Sequence, residues 1–180
     1  MKLFLSRLPD RKCRGMTLVE IMVATAVGSI ALAAVMSLWL FSARSFVAMG
    51  NYADLDRASR NALDLMSREI RGTRSLSTFS ATHLQFVDND NTSLVYRFDA
   101  DARQLVREKA NTNQTVLLNQ CDFLAFRVSQ RNPSNDFNFY PTTVARQAKL
   151  IDVSWRCSRE ILGARVNTES VQTAKIVVRN

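Results

Sequence analysis

Apolar residues form an unbroken run near the start of the chain. No charged residue occurs from Ile21 to Ala43, a stretch of 23 positions. About 20 predominantly apolar residues are enough for a helix to cross the hydrocarbon core of a membrane. The pattern therefore predicts a membrane-spanning helix close to the N-terminus.

The helical pattern continues beyond this run but changes character. Between Arg44 and Gly72 there is no proline, and apolar residues recur at spacings of three and four, which places them on one face of a helix. They are Phe46, Met49, Tyr52, Leu55, Ala58, Ala62, Leu63, Leu65, Met66 and Ile70. We expect an amphipathic continuation that ends at Gly72 as a C-terminal cap, with Gly50 and Asn51 as the place where the helix kinks or frays. Another part of the chain must cover the apolar face.

Short stretches rich in β-branched and aromatic residues follow, with turn residues between them. They lie at 83–87, 94–98, 104–108, 122–129, 148–156 and 171–179. Residues 130–145 are predicted to form a long surface loop. The expected fold class is α+β, in which a meander of about five or six antiparallel strands packs on the apolar face of the helix.

The residues that lead into the apolar run show a fixed order: a basic cluster at 11–14, then Gly15, then the helix with one carboxylate, Glu20, near its start. A lipid-facing carboxylate costs on the order of 2.5–3.5 kcal/mol at mid-bilayer and less near the interface. The helix dipole favours it a little, but this does not explain its presence. If the chain were cut after Gly15, the new amine at Met16 of a neighbouring copy could pair with Glu20. The pattern therefore predicts several such helices packed side by side.

Charge is concentrated in the leader segment. Residues 1–15 contain five basic residues and one acidic residue, so they carry +4 of the formal net charge of +8. The remaining surplus is modest and lacks the basic clustering of a dedicated nucleic-acid binder, so a nucleic-acid partner is not expected. The basic cluster at 11–14 places the N-terminus in the cytoplasm by the positive-inside rule. The bulk of the chain is then extracytoplasmic.

The segment Arg14-Gly15-Met16-Thr17-Leu18-Val19-Glu20, followed by an apolar helix, resembles the class III signal of type IV pilins and pseudopilins. The resemblance implies that a membrane-embedded prepilin peptidase cuts after Gly15 and methylates Met16, and that Glu20 is the assembly glutamate. The usual first residue of the mature protein is phenylalanine, and Met16 departs from that pattern. The implied organisation is a leader at 1–15, an anchor at 16–43, an amphipathic helix at 44–72 and a periplasmic β-rich domain at 73–180.

Two further segments resemble J-type minor pseudopilins and W-type minor pilins: residues 60–71 in the helix, and the hairpin of 95–98 and 103–107. Those relatives belong to a tip complex that starts filament assembly. The resemblance implies a structural subunit of the bacterial inner membrane that initiates or caps a type II secretion pseudopilus or a type IV pilus. Its partners would be the lipid bilayer, the prepilin peptidase, other minor and major pilin-like subunits and an inner-membrane assembly platform. The alternative is a single-pass anchored periplasmic domain that binds a substrate, DNA or a surface and joins no filament.

The three cysteines divide between leader and mature chain. Cys13 would be removed with the leader, which leaves Cys121 and Cys157 in an oxidising compartment. An even pair in that setting favours a disulfide between neighbouring strands. Two unpaired thiols remain the alternative.

The sequence contains little material for catalysis, so no enzyme activity, cofactor or metal is expected. His83 is the only histidine, and neither cysteine has another obvious base partner. Asp88-Asn89-Asp90-Asn91 offers oxygen ligands of the kind that calcium prefers, but a hairpin turn explains the same residues. Phe137, Phe139 and Tyr140, near Arg131 and Arg146, could stack on single-stranded DNA, although anchoring the long loop is the simpler interpretation.

Overall fold

The computed structural model of the chain describes residues 15–110, 113–132, 138–160 and 169–178. Residues 1–14, Phe137 and the polar break around Gly163 lie outside the described residues. The chain divides into two compact units, residues 1–43 and residues 44–180, which are described in turn. A single long helix, α1, occupies Leu18–Gly72 and contributes to both units.

In the first unit, α1 exposes apolar side chains on every side. None of residues 15–43 is buried, and the most apolar window of the helix has a mean hydropathy of 2.2. The few hydroxyl groups bond within the helix: Thr25 donates to the carbonyl of Ile21 at 3.0 Å and Ser29 donates to that of Ala26 at 2.8 Å. Length and composition therefore suit this helix to crossing a membrane.

In the second unit, α1 runs through Gly50 and Asn51 without interruption. The expected fraying is wrong, because one glycine costs a helix only about 1 kcal/mol and the surrounding turns outweigh it. The helix ends at Gly72 as predicted, but Gly72 does not adopt a left-handed conformation. Instead Thr73 Oγ1 donates to the carbonyl of Ile70 at 2.8 Å, and Asn89 Nδ2 donates to that of Gly72 at 2.9 Å.

Two antiparallel sheets follow the helix. The first sheet has the order β1-β2-β3-β4-β5, and the second has the order β7-β6-β8-β9. The strands are β1 Ser75–Phe79, β2 His83–Val87, β3 Ser93–Asp99, β4 Gln104–Lys109, β5 Asn113–Leu118, β6 Cys121–Arg131, β7 Phe139–Pro141, β8 Leu150–Ser158 and β9 Glu169–Val177. A 3-10 turn at Ala145–Gln147 precedes β8.

The α+β class is confirmed, whereas the single meander of five or six strands is wrong, since the described residues form two sheets. All six predicted strands are present, with β2 at the predicted bounds. The sequence pattern missed β1, β5 and β7. Strand β7 lies in the predicted loop 130–145, and the 3-10 turn begins at its last residue. Strand β7 is three residues long and all three residues are exposed. Its sequence therefore has no alternation of buried and exposed positions, and only its pairing with β6 identifies it as a strand.

The core lies between the buried face of α1 and the inner faces of both sheets. The buried helical residues are Leu55, Ser59, Ala62, Met66 and Ile70. Trp155, on β8, is 1% exposed, and its indole Nε1 donates to Ser59 Oγ at 3.2 Å. Ser59 thus occupies a core position that the apolar pattern did not mark.

The predicted apolar stripe is covered over only part of its length. Phe46, Met49 and Tyr52 are 73%, 70% and 51% exposed, and burial begins at Leu55. Their apolar character therefore has no explanation in the packing of the described residues of this unit.

A half-buried carboxylate joins α1 to the first sheet. Glu69 accepts two hydrogen bonds from Arg107, from Nε at 2.8 Å and from Nη2 at 2.5 Å, and a third from the hydroxyl of Tyr96 at 2.6 Å. Burial alone would raise the pKa of Glu69, but the bonds from Arg107 and Tyr96 outweigh it and lower that pKa. Burial, together with the bond to Glu69, raises the pKa of Tyr96.

Glu69→Gln should therefore destabilise the protein at neutral pH and reduce its sensitivity to acid. The lowered folded pKa means that the Glu69 charge stabilises the fold above its ordinary value of 4.5, and that this contribution is lost as pH falls through the folded pKa. We expect a loss of about 1.5–3 kcal/mol at pH 7, the range for a hydrogen bond to a charged group. Urea unfolding across a pH series would measure both effects.

Glu108→Gln is the matched control, because Glu108 follows Arg107 on β4 and strand alternation directs its side chain to the other face. Identical acid profiles for the wild type and the Glu69 variant would contradict the proposed role of this carboxylate.

Candidate functional site

The candidate site is the start of α1, where Gly15, Met16 and Thr17 precede the first helical residue, Leu18. Thr17 N–H donates to the Glu20 carboxylate at 2.9 Å, and Glu20 N–H donates back to Thr17 Oγ1 at 3.3 Å. The Thr17 hydroxyl also lies 3.3 Å from the same carboxylate oxygen. This reciprocal pair is a capping box, with Thr17 as N-cap and Glu20 as the third helical residue.

The capping box is a feature that the sequence analysis missed, although its signal was present. Thr17-Leu18-Val19-Glu20 fits the Ser/Thr-x-x-Glu pattern that precedes an apolar helix. It provides a local reason for the carboxylate: Glu20 satisfies a backbone N–H that would otherwise lack a partner at the helix start. Glu20 therefore has a partner within its own chain, independent of any neighbouring subunit.

Glu20 is also accessible from outside the chain. Met16 is 72% exposed, and Gly15 and Glu20 are exposed as well. Met16, Val19, Glu20, Val23 and Val27 line one shallow groove along the helix, so the carboxylate lies at one end of an otherwise apolar face. Such a face offers a neighbouring helix both apolar contact and one negative charge.

The structure brings together the two cysteines that lie outside the leader segment. Both are far in sequence from the start of α1. Cys121 on β6 and Cys157 on β8 are direct register partners, and both are buried as free thiols. The hydrogen bond between the two thiols lowers the pKa of Cys121, and that bond together with burial raises the pKa of Cys157. The predicted bridge between them stays a prediction.

The other candidate residues lie in turns and strands of the described part of the chain. Asp88 pairs with Lys109 at 2.8 Å, and Asn91 adopts a left-handed conformation in the β2–β3 turn. His83 begins β2, as expected, while Phe139 and Tyr140 lie exposed on β7. Within the described ranges, no group of three or more histidine, cysteine or acidic side chains is placed to hold a metal ion.

One long apolar N-terminal helix followed by antiparallel sheets defines a pilin-like α+β architecture. Residues 10–36 match the family model of the prokaryotic N-terminal methylation motif. The motif supports a protein of the type IV pilin-like class and implies processing by a prepilin peptidase and assembly with other pilins. Together, the motif and the long apolar helix fit a membrane-anchored protein. No curated protein and no solved structure matches the chain.

Thr17→Val should loosen the first turn of α1, because valine keeps the shape of threonine but lacks the hydroxyl that accepts the Glu20 amide. Loss of an N-cap costs about 0.5–2 kcal/mol. Hydrogen exchange in detergent micelles should therefore be faster at the amides of Glu20 and Ile21. Thr25→Val is the control, since the Thr25 hydroxyl bonds only to helix carbonyls at 3.0 Å. An equal effect of both variants on these amides would show that Thr17 is not a specific cap.

Proposed function

We propose that this chain is a minor pilin or pseudopilin, a structural subunit that helps to initiate or cap a type II secretion pseudopilus or type IV pilus. One observation carries the proposal: a carboxylate fixed in a capping box begins an apolar helix that is unburied on every side. The cap by itself would serve any anchored helix. A subunit that assembles through its helix also needs a charge that stays exposed at a fixed position along it, and Glu20 is exposed.

The geometry before the helix supports the proposed processing. The bond between Gly15 and Met16 lies outside α1, and both residues are exposed, so a peptidase can bind this stretch in an extended conformation. Cleavage there removes residues 1–15 and makes Met16 the first residue, whose amine is then methylated. The basic leader lies on the cytoplasmic side of the inner membrane, and residues 73–180 lie in the periplasm.

Assembly uses the exposed apolar surface of the helix. In the first unit this surface covers every side of residues 18–43, and in the second unit Phe46, Met49 and Tyr52 extend it beyond the uncharged run. Helices of other pilin-like subunits would cover it. The Met16 amine of a neighbouring subunit then pairs with Glu20, which already accepts from Thr17 and has acceptor capacity left.

The proposal of a minor rather than a major subunit rests on the segments that resemble tip-complex proteins. Glu69 lies in the helical segment 60–71, and Tyr96 and Arg107 lie in the two strand segments. The bonds of Glu69 with Tyr96 and Arg107 therefore connect all three segments into one structural unit. The three resembling segments are therefore in contact in the fold, which supports a common origin of the resemblance. The competing hypothesis is an anchored binding domain that joins no filament.

Gly15→Ala and Gly15→Val should block leader removal and leave the precursor in the inner membrane. A Cβ added at Gly15 meets no atom within 4 Å, so failure would reflect recognition by the peptidase rather than misfolding. Gly28→Ala is the matched control, since a Cβ there also meets open space. Intact mass distinguishes the forms, with loss of residues 1–15 and gain of one methyl group expected for the wild type and the control. Normal cleavage of the Gly15 variants would overturn the assigned site.

Glu20→Gln should be processed normally yet be recruited poorly into the assembled complex. Glutamine retains the capping-box acceptor but removes the charge that pairs with a neighbouring amine. Thr17→Val provides the converse control, because it weakens the cap and keeps the charge. Co-purification with other pilin-like subunits would measure recruitment. If Thr17→Val abolished recruitment while Glu20→Gln preserved it, helix capping would be the function of Glu20 and the charge-pair mechanism would be rejected.

A further inference from the structure

The two buried cysteines lie where the two sheets meet. Cys121 is the first residue of β6, and Cys157 is the penultimate residue of β8. They are 0% and 1% exposed and are opposite each other in register. Directly opposed residues of antiparallel strands have Cα atoms about 4.5–5.5 Å apart. A disulfide requires about 4.4–6.8 Å, so the direct pairing of the two cysteines is compatible with one, with the register shift of β6 falling after Cys121.

The neighbours of both cysteines connect the first sheet to the second. Cys121 N–H donates to the carbonyl of Arg103, which directly precedes β4, at 2.8 Å. The Arg103 guanidinium pairs with the carboxylate of Asp122, and the hydroxyl of Ser158 donates to the other oxygen of the same carboxylate. We call these five residues, Arg103, Cys121, Asp122, Cys157 and Ser158, the seam.

We propose that Cys121 and Cys157 form a disulfide that holds the seam closed, and thereby ties the pairing of β6 with β8 to the contact between the two sheets. The proposal rests on the extracytoplasmic location in the proposed function, because only an oxidising compartment maintains such a bond. It adds a covalent modification and a specific structural consequence to that function.

The reaction is an exchange with a protein or small-molecule disulfide as oxidant. The Cys121 thiolate attacks one sulfur of the oxidant, which breaks the oxidant's S–S bond and releases one thiolate. The Cys157 sulfur, after losing its proton, attacks the Cys121 sulfur of the mixed disulfide and releases the second thiolate. Two electrons pass to the oxidant, and the two protons given up by the cysteines end on its two thiols.

Burial of both sulfurs decides when the bond forms, and the exchange balances equally with the roles of the two cysteines interchanged. Since both sulfurs are buried in the folded protein, the exchange takes place while β6 and β8 are pairing. Once formed, the bond is shielded from reductants as long as the fold persists.

The test alkylates the full chain under denaturing conditions without reductant, using N-ethylmaleimide, and measures intact mass. A mature chain that is bridged gains no adduct before reduction and two after it. A mature chain with two adducts before reduction would overturn the proposal. Cys13 in the leader reports on processing independently: a precursor gains one adduct if bridged and three if unbridged. Failure of the bridge and failure of leader removal are therefore distinguished in a single spectrum.

The consequence for the seam is tested by urea unfolding with and without reductant. Reductant should lower the unfolding midpoint of the wild type and leave that of Cys121→Ser/Cys157→Ser unchanged. Cys13→Ser should behave like the wild type. If the double variant does not fold, the wild-type comparison remains decisive, because a midpoint that is indifferent to reductant would show that no bridge supports the seam.

Discussion

Burial of one narrow face of α1 is the constraint on which the second unit depends. Five positions spaced three or four residues apart, from Leu55 to Ile70, lie against the inner faces of two sheets, and no other α-helix contributes to this core in the described residues. Removing apolar area from water is the main term that stabilises such a unit. The two sheets stay together because both cover the same helical face, with Trp155 reaching Ser59 from one sheet and Arg107 reaching Glu69 from the other.

Two glutamates on α1 show how environment determines the role of a carboxylate. Glu69 is half-buried, so it needs strong partners, and it obtains them from two strands that are distant in sequence. Glu20 is exposed and begins the helix, so its partners are the backbone and hydroxyl of Thr17 in its own first turn. The first arrangement fixes tertiary structure. The second leaves the Glu20 charge exposed to another molecule, whereas Glu69 is held by its partners within the fold.

The seam, where the two sheets meet, is a second place at which side chains distant in sequence are brought together. Cysteines 36 positions apart in sequence become direct neighbours because β6 and β8 pair in antiparallel orientation, so the start of β6 lies beside the end of β8. Arg103 directly precedes β4 of the first sheet and Asp122 lies on β6 of the second, so their pairing opposes separation of the two sheets. A covalent bond at this point would act on both the strand pairing and the layer contact.

The sequence alone determined the features that depend on local order. Twenty-three uncharged residues dictate an apolar helix because no other structure satisfies the backbone within lipid, and the motif around Gly15 and Glu20 is readable because its residues are contiguous. The six strands with strong alternation were also predictable. The division into two sheets, strands β1, β5 and β7, the burial of Ser59 and the exposure of Phe46 were decided only by the tertiary structure. Each depends on which surfaces meet across the core, and contacts between residues far apart in the chain leave no periodic signal in the sequence.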